Sequence, residues 1–432
     1  MTTQIHLTDK AAEQSLDILQ LLLGGYQPRD FSVRLWDGSQ WPAEIESPQF
    51  TLVLKHPGAL RRMFQSPNSD LSLGEAYIYD DFDIEGNIEA LFAVTDYLMH
   101  REWNTTTKLR LGWLLHRLPN KMRPRPAGRR AATLKGKPHS IERDKQAIAY
   151  HYDVSNDFYA LWLDRQLVYS CAYFKDAEDS LDTAQEQKLD YICRKLRLRP
   201  SEKLLDIGCG WGGLVMHAAR HYGVEAVGIS LSQNQVELAN QRIREAGLSD
   251  RCRVEMCDYR EMKTFAAFDK LVSVGMFEHV GEALLPVYFQ QAWKLLRPGG
   301  VFLNHGIAQP AIPSPPVGSE FFKRYVFPDG ELAPISTTLR QAELAGFEVR
   351  DVESLREHYL LTLRQWVKWL ETQRQEACDL VGEPTYRTWR LFMSASAYYF
   401  KVGWVNVYQS LLVKPDRGQS GLPLTRADWY QP

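Results

Sequence analysis

At 432 residues the chain is roughly three times a ~150-residue domain, so two domains, one of them enlarged, are expected. Hydrophobic residues at 44% and charged residues at 24%, with 12 Trp, 20 Tyr and 18 Phe, exclude disorder as the main state. The net charge of −2 argues against a nucleic-acid partner recognised through overall basicity. Six cysteines (Cys171, Cys193, Cys209, Cys252, Cys257 and Cys378) lack CxxC pairing and metal-ligand spacing with histidine. Neither a disulfide framework nor a metal site is therefore expected, and a reducing cytoplasm fits.

The N-terminus, MTTQIHLTDKAAEQ, has no basic segment followed by an apolar one, and no window approaches the ~18 apolar residues of a membrane span. Any membrane contact is expected from the surface. FSVRLWDGSQWPAEI and FTLVLKHPGALRRMF alternate apolar and polar residues as half-buried strands, and NIEALFAVTDYLMH has helical spacing, giving a small α+β domain over residues 1–100. Residues 101–145 carry 13 Lys/Arg against 3 Asp/Glu, a local charge of +10. KLRLGWLLHRL within it reads as an amphipathic helix with Trp113, and the Pro/Gly-rich stretch that follows reads as a linker. The two readings of this segment are a solvated connector and an element resting on anionic lipid headgroups.

From residue 146 the pattern becomes strand and helix in alternation. KLLDIG, VEAVGIS, RVEMCD, FDKLVSV and GVFLNHG are expected strands, with helices over Gly213–Tyr222, Gln233–Ala246 and Ala283–Leu296. This predicts an α/β, doubly wound Rossmann-like sheet for residues 146–432, with a lid insertion near 310–400. Asp206-Ile-Gly208-Cys-Gly210-Trp-Gly-Gly ends the first strand in an acid and a glycine turn that lets the backbone approach a ligand closely. A nicotinamide enzyme would place an acid at the end of the next strand, where Ser230 stands instead. Gln235 has an amide suited to a ribose diol. Asp258 can accept from an adenine amino group or cap a helix.

The glycine turn resembles the first motif of class I S-adenosylmethionine-dependent methyltransferases. Together with HYDVSNDFYALWLD and YSCAYF (His151–Phe174), VSVGMFEHVG (Val272–Gly281) and YVFPDG (Tyr325–Gly330), it resembles cyclopropane-fatty-acyl-phospholipid synthases and is similar to mycolic-acid cyclopropane synthases. The resemblance implies methyl transfer from S-adenosyl-L-methionine to the cis double bond of an acyl chain. Tyr169, Ser170, Asp206, Gly208, Gly210, Ser230, Gln235 and Asp258 would then hold the cofactor. It also implies a bound bicarbonate ion, held by Cys171, Glu278, His305 and Tyr359 with the backbone N–H near Ile307, that takes a proton from the added methyl.

Each of these residues has a plainer reading: Cys171 as a buried small hydrophobe, Glu278 as a helix cap, and His279 as a rival to His305. Aromatic faces to steady a cation are expected among Phe321, Phe322, Tyr325, Phe327, Trp366, Trp369, Tyr398, Tyr399 and Phe400. Ser396 replaces a cysteine common in the family, which leaves a methyl-branched or methylenated product open. Small-amine N-methylation and a non-enzymatic lipid-binding module are more distant alternatives. The resemblance places the protein in the cytoplasm at the inner face of a membrane, on unsaturated phospholipid acyl chains, and leaves a homodimer open.

Overall fold

The computed structural model describes residues 9–65, 69–120, 125, 127–312 and 320–430. The chain divides into two compact units: one of residues 1–130, 318–322 and 382–398, the other of the remainder.

In the first unit Asp9 caps α1 (Lys10–Leu23), accepting from Ala11 N at 2.9 Å, and Ile18, Leu19, Leu22 and Leu23 form its buried stripe. β1 (Phe31–Arg34), β2 (Gln40–Trp41) and β3 (Phe50–Leu54) follow. The expected second strand stops at Leu54. Pro57-Gly58 turns the chain, and Ala59, Leu60 and Met63 become the buried side of α2 (Ala59–Met63). Next come α3 (Ser69–Ile78), β4 (Phe82–Gly86), α4 (Leu91–His100) and α5 (Thr105–Arg117). The sheet order is β2-β1-β3-β4, with β1 and β3 parallel and the other pairs antiparallel.

Residues 382–398, expected in the larger domain, belong to this unit. The reason is a buried guanidinium: Arg387 donates to Tyr77 O at 3.0 Å, and to Asp80 and Asp83 at 2.9 Å. Arg390 adds a bond to the Tyr77 hydroxyl at 2.7 Å. A buried charge needs such partners, and these come from the end of α3, from the turn that follows it and from β4.

The second unit begins with α6 (Ile141–Tyr152), α7 (Asn156–Ala160) and α8 (Leu181–Leu196). Alternation then runs β5 (Lys203–Ile207), α9 (Gly213–Tyr222), β6 (Glu225–Ser230), α10 (Gln233–Glu245), β7 (Cys252–Met256), β8 (Phe268–Val274), α11 (Leu285–Leu295) and β9 (Leu296–Ala308). The chain continues through α12 (Glu320–Tyr325), α13 (Ile335–Leu344), β10 (Glu348–Ser354), α14 (Arg356–Thr372), α15 (Arg374–Val381), α16 (Glu383–Val402) and β11 (Asn406–Val413). The seven-stranded order is β10-β11-β9-β8-β5-β6-β7. β5 to β9 are parallel, as expected, while β11 runs antiparallel to both β9 and β10.

Period-two alternation along β9 decides which side chains meet which layer. Phe302 packs in the cluster with α11, and Asn304 accepts from the Tyr288 hydroxyl of α11 at 2.8 Å. Val301 and Leu303 pack in the other cluster, with Leu189, Ile192 and Leu196 of α8. His305 falls on that α8 face.

Candidate active site

The glycine turn after β5 is held against β6, since Gly208 N and Cys209 N both donate to Ile229 O at 3.0 Å. Gly208 has φ +84°, and a Cβ there would lie 2.6 Å from Met276 Cβ. Backbone conformation and space both demand glycine. This turn is the floor of a cavity at the carboxyl edge of the parallel strands, the place where such sheets bind ligands. Tyr169, Ser170, Asp206, Gly208, Gly210, Ser230, Gln235 and Asp258 all line it. Ser230 Oγ donates to Gln235 Oε1 at 2.8 Å, which fixes that amide. Both oxygens of Asp258 are engaged by Arg260, and Oδ1 also caps the short turn Tyr259–Glu261. The capping reading of Asp258 is thus realised, although the residue also faces the cavity.

Sequence reasoning missed several of the cavity's residues. Tyr152, Trp211, Met276 and His279 line it, and so does Lys188. Lys188 is one of two cations, with Lys195, on the buried stripe of α8, among Leu181, Ala184, Leu189 and Ile192, and that position was its only sequence signal. Its ammonium donates to Ser170 Oγ at 2.8 Å. Burial lowers its pKa to about 8, against the pull of Asp164, Cys171 and Asp206. Burial raises the Asp206 carboxyl to about 7, with Lys188 opposing.

Cys171, Glu278, His305 and Tyr359 are not among the residues that line this cavity. They sit beside it. Cys171 directly follows Ser170, is fully buried, and donates to Leu355 O at 3.7 Å, just ahead of α14. Tyr359 lies in the first turn of α14; burial pushes its phenol well above the usual range, with Tyr169, Cys171 and Glu278 adding to the effect. Glu278 Oε1 accepts from Ile307 N at 2.7 Å. The backbone N–H expected to serve an added anion is therefore taken by Glu278 itself, because a buried carboxylate cannot be left bare. Glu278 is not a helix cap. Burial raises its carboxyl to about 7, with the Ile307 bond opposing.

His305 is 1% exposed, and Gln409, its register partner on β11, meets Nδ1 at 3.2 Å. Burial, with Lys188 and Lys195 adding, holds its pKa well below the ordinary histidine value, so the ring is neutral. Gly275 N donates to His305 O at 2.9 Å, which brings the β8 end, and with it Glu278, to this strand. Glu278 Oε2 and His305 Nε2 are both buried without a hydrogen-bond partner among the described residues. The rival His279 faces the other way, toward the cofactor cavity, with Tyr152 OH 3.5 Å from its Nε2; burial lowers its pKa to about 4.

Aromatic rings enclose the boundary between cavity and cluster. Tyr169 packs on Trp162 and Trp366, each at 5.2 Å, and on Tyr159 at 5.5 Å. Tyr359 packs on Phe400 at 4.7 Å and Trp366 at 5.9 Å. Of the expected aromatics, Trp366 and Phe400 join this box, and Phe327 stacks on His151 at 4.0 Å. Tyr399 instead stacks on Trp404, Tyr325 is buried, and Trp369 is half-buried on α14. Phe321, Phe322 and Tyr398 belong to the first unit. His151 Nδ1 pairs with Val326 O at 2.9 Å, so two of the separate motifs meet in space.

In the first unit, Asn104 caps α5 by accepting from Thr107 N at 2.8 Å. Leu114 is buried on one side, while Leu109 and Trp113, one turn apart, are 70% and 58% exposed. Lys108, Arg110 and Arg117 flank them, and Arg117 lies over the Trp113 ring at 4.5 Å. The linker arginines are differently engaged: Arg125 pairs with Glu75 at 3.0 Å and Arg129 covers Trp389 at 4.4 Å. Arg123 lies outside the described residues.

Residues 139–410 match the family described as mycolic acid cyclopropane synthetase, and residues 18–100 match a domain of unknown function. A probable fatty acid methyltransferase of Pseudomonas putida is 42% identical over 92% of this chain and 96% of its own. The cyclopropane-fatty-acyl-phospholipid synthase of Escherichia coli K12 is 32% identical over 86% of this chain and 90% of its own. Mycolic acid cyclopropane synthase CmaA1, solved in complex with SAH and CTAB, superposes with TM-score 0.59 at 32% identity, covering 62% of this chain and 97% of that one.

Proposed function

Because the chain belongs to the mycolic acid cyclopropane synthetase family, we propose that it transfers the methyl group of S-adenosylmethionine to the cis double bond of unsaturated phospholipid acyl chains and closes a cyclopropane ring. One observation carries this reading. A cavity lined by the whole cofactor set adjoins a buried cluster in which Glu278 and His305 each present a bare polar atom.

An isolated alkene is a weak nucleophile, so the chain's task is to hold it in line with an electrophile, and S-adenosylmethionine supplies that as its sulfonium methyl. Transfer leaves a positive carbon on the acyl chain. The box of Tyr169, Trp162, Trp366 and Tyr359 excludes water from it and turns aromatic faces toward it. Ring closure then needs a proton acceptor that is not itself alkylated. The donor set fits a small oxyanion: the neutral His305 imidazole and the Tyr359 phenol would donate to it, Cys171 would line it, and Glu278 would supply an acceptor for the anion's own O–H. Bicarbonate held there would supply the base.

A phospholipid substrate is favoured by the likeness to the E. coli enzyme, which extends over both units. On α5 the Leu109–Trp113 ridge, flanked by basic side chains, suits the interfacial layer of an anionic membrane, which supports a peripheral site at the inner face. No helix among the described residues is long and apolar enough to cross a membrane.

A second reading shares every step up to the cation and ends in a methyl-branched or methylenated chain. It is favoured by the P. putida relative and by the probable fatty acid methyltransferase Rv3720 of Mycobacterium tuberculosis, 36% identical over 96% of this chain. Incubation with unsaturated phospholipid vesicles and S-adenosylmethionine, followed by mass analysis and hydrogenation of the released acyl chains, tests the reading. A ring-bearing chain supports it, a methylenated or branched chain selects the second product, and unmodified lipid refutes both.

A further inference from the structure

The Nε2 atom of His305 is useful to an oxyanion only if it carries the proton, and nothing on the ring itself decides that. The neighbours do. Gln409 stands opposite His305 in the β9–β11 register, is 1% exposed, and meets Nδ1 at 3.2 Å. An amide can present either its oxygen or its nitrogen, so Gln409 alone leaves the question open. Lys195, also 1% exposed, closes it, because its ammonium has only protons to offer and reaches Gln409 Oε1 at 2.8 Å. Turning the amide round would set Nε2 against an ammonium, two donors face to face. The ammonium is in turn anchored by Glu353 and lies 3.9 Å from Asp351, so it is not free to swing away.

We propose that the buried chain Lys195–Gln409–His305 is a tautomer lock: Gln409 donates to Nδ1, the imidazole proton resides on Nε2, and that N–H is directed at the oxyanion site. Gln409 and Lys195 are positioning residues, two and three side chains removed from the reacting atoms. The inference rests on the reading of the Glu278–His305 cluster as an oxyanion site, but the tautomer exists without any ligand.

The test is nitrogen NMR of ligand-free full-length protein labelled at histidine, with the His305 signals assigned by comparison with His305→Gln. Wild type is expected to show Nδ1 unprotonated and Nε2 protonated. In Gln409→Glu the new carboxylate accepts from Nδ1–H, so the two nitrogens exchange roles; turnover should fall by at least tenfold while S-adenosylhomocysteine affinity changes less than threefold. In Lys195→Met the amide is released, a mixture of tautomers appears, and turnover takes an intermediate value. Should Gln409→Glu fail to fold, wild type and Lys195→Met decide the matter. A wild-type His305 protonated at Nδ1, or the same tautomer in every variant that folds, overturns the proposal. If the tautomers behave as expected but wild-type turnover is indifferent to added bicarbonate, the lock stands and the identity of the anion falls.

Discussion

Ile307 donates its backbone N–H to Oε1 of Glu278 at 2.7 Å and leaves Oε2 buried without a partner among the described residues. One oxygen thus holds the carboxyl in place, and in the proposed mechanism the other accepts from the anion's own O–H. Glu278→Gln keeps the Ile307 bond through its amide oxygen but offers the bare position a donor instead of an acceptor. Turnover on lipid vesicles should drop by about 10²–10³-fold, as for loss of a general acid–base partner. Calorimetric affinity for S-adenosylhomocysteine should stay within threefold. Retention of full activity would remove Glu278 from the chemistry.

The same carboxyl has a measurable effect on stability. Its folded pKa, raised by burial to about 7, exceeds the ordinary 4.5. Its favourable contribution is complete below about pH 4.5 and is lost as pH rises through about 7. At pH 8 the ionised group costs the fold on the order of 3 kcal/mol. Ligand-free Glu278→Gln should therefore melt a few degrees above wild type at pH 8 and converge with it near pH 5. Equal melting temperatures at both pH values would mean that the carboxyl is not desolvated.

Two glycines of the cofactor turn should respond unequally. At Gly208 a side chain meets Met276 at 2.6 Å on a backbone with φ +84°, whereas Gly210, at φ +56°, faces open space. Gly208→Val should abolish detectable S-adenosylhomocysteine binding. Gly210→Ala, strained by roughly 1 kcal/mol in the left-handed region, should weaken it about tenfold or less. Similar losses at the two positions would show that the turn is not what shapes the pocket.

For α5, Leu109→Glu with Trp113→Glu should weaken sedimentation with anionic vesicles at low salt by at least tenfold and leave S-adenosylhomocysteine affinity within twofold. The linker arginines are poorer probes, since Arg125 and Arg129 are engaged with Glu75 and Trp389. Undiminished vesicle binding by the double variant would move the membrane contact elsewhere.

The parallel core was legible because apolar runs such as KLLDIG and FDKLVSV alternate with amphipathic helices, a pattern with few other solutions. The lining of the cavity was legible too, because it hangs on short motifs: all eight chosen residues reach it. What stayed hidden depends on distant partners. Arg387 draws its helix into the first unit through Tyr77, Asp80 and Asp83, roughly 300 residues away in sequence, and no local pattern announces that. Lys188 and Gln409 carry no local signal of their partners, because only the fold buries them beside Ser170 and His305. HPGALRRMF misled because its alternation is also satisfied by a short helix once Pro57-Gly58 breaks the strand.

In the proposed mechanism the buried cluster, with its anion, removes a proton from the methyl group after its transfer. Trideuteromethyl S-adenosylmethionine supplied with unsaturated phospholipid vesicles tests it, by mass analysis of the acyl product. The account predicts that two of the donor's three deuterium atoms are retained, in a chain that resists hydrogenation. Retention of all three, in a branched chain, would contradict it.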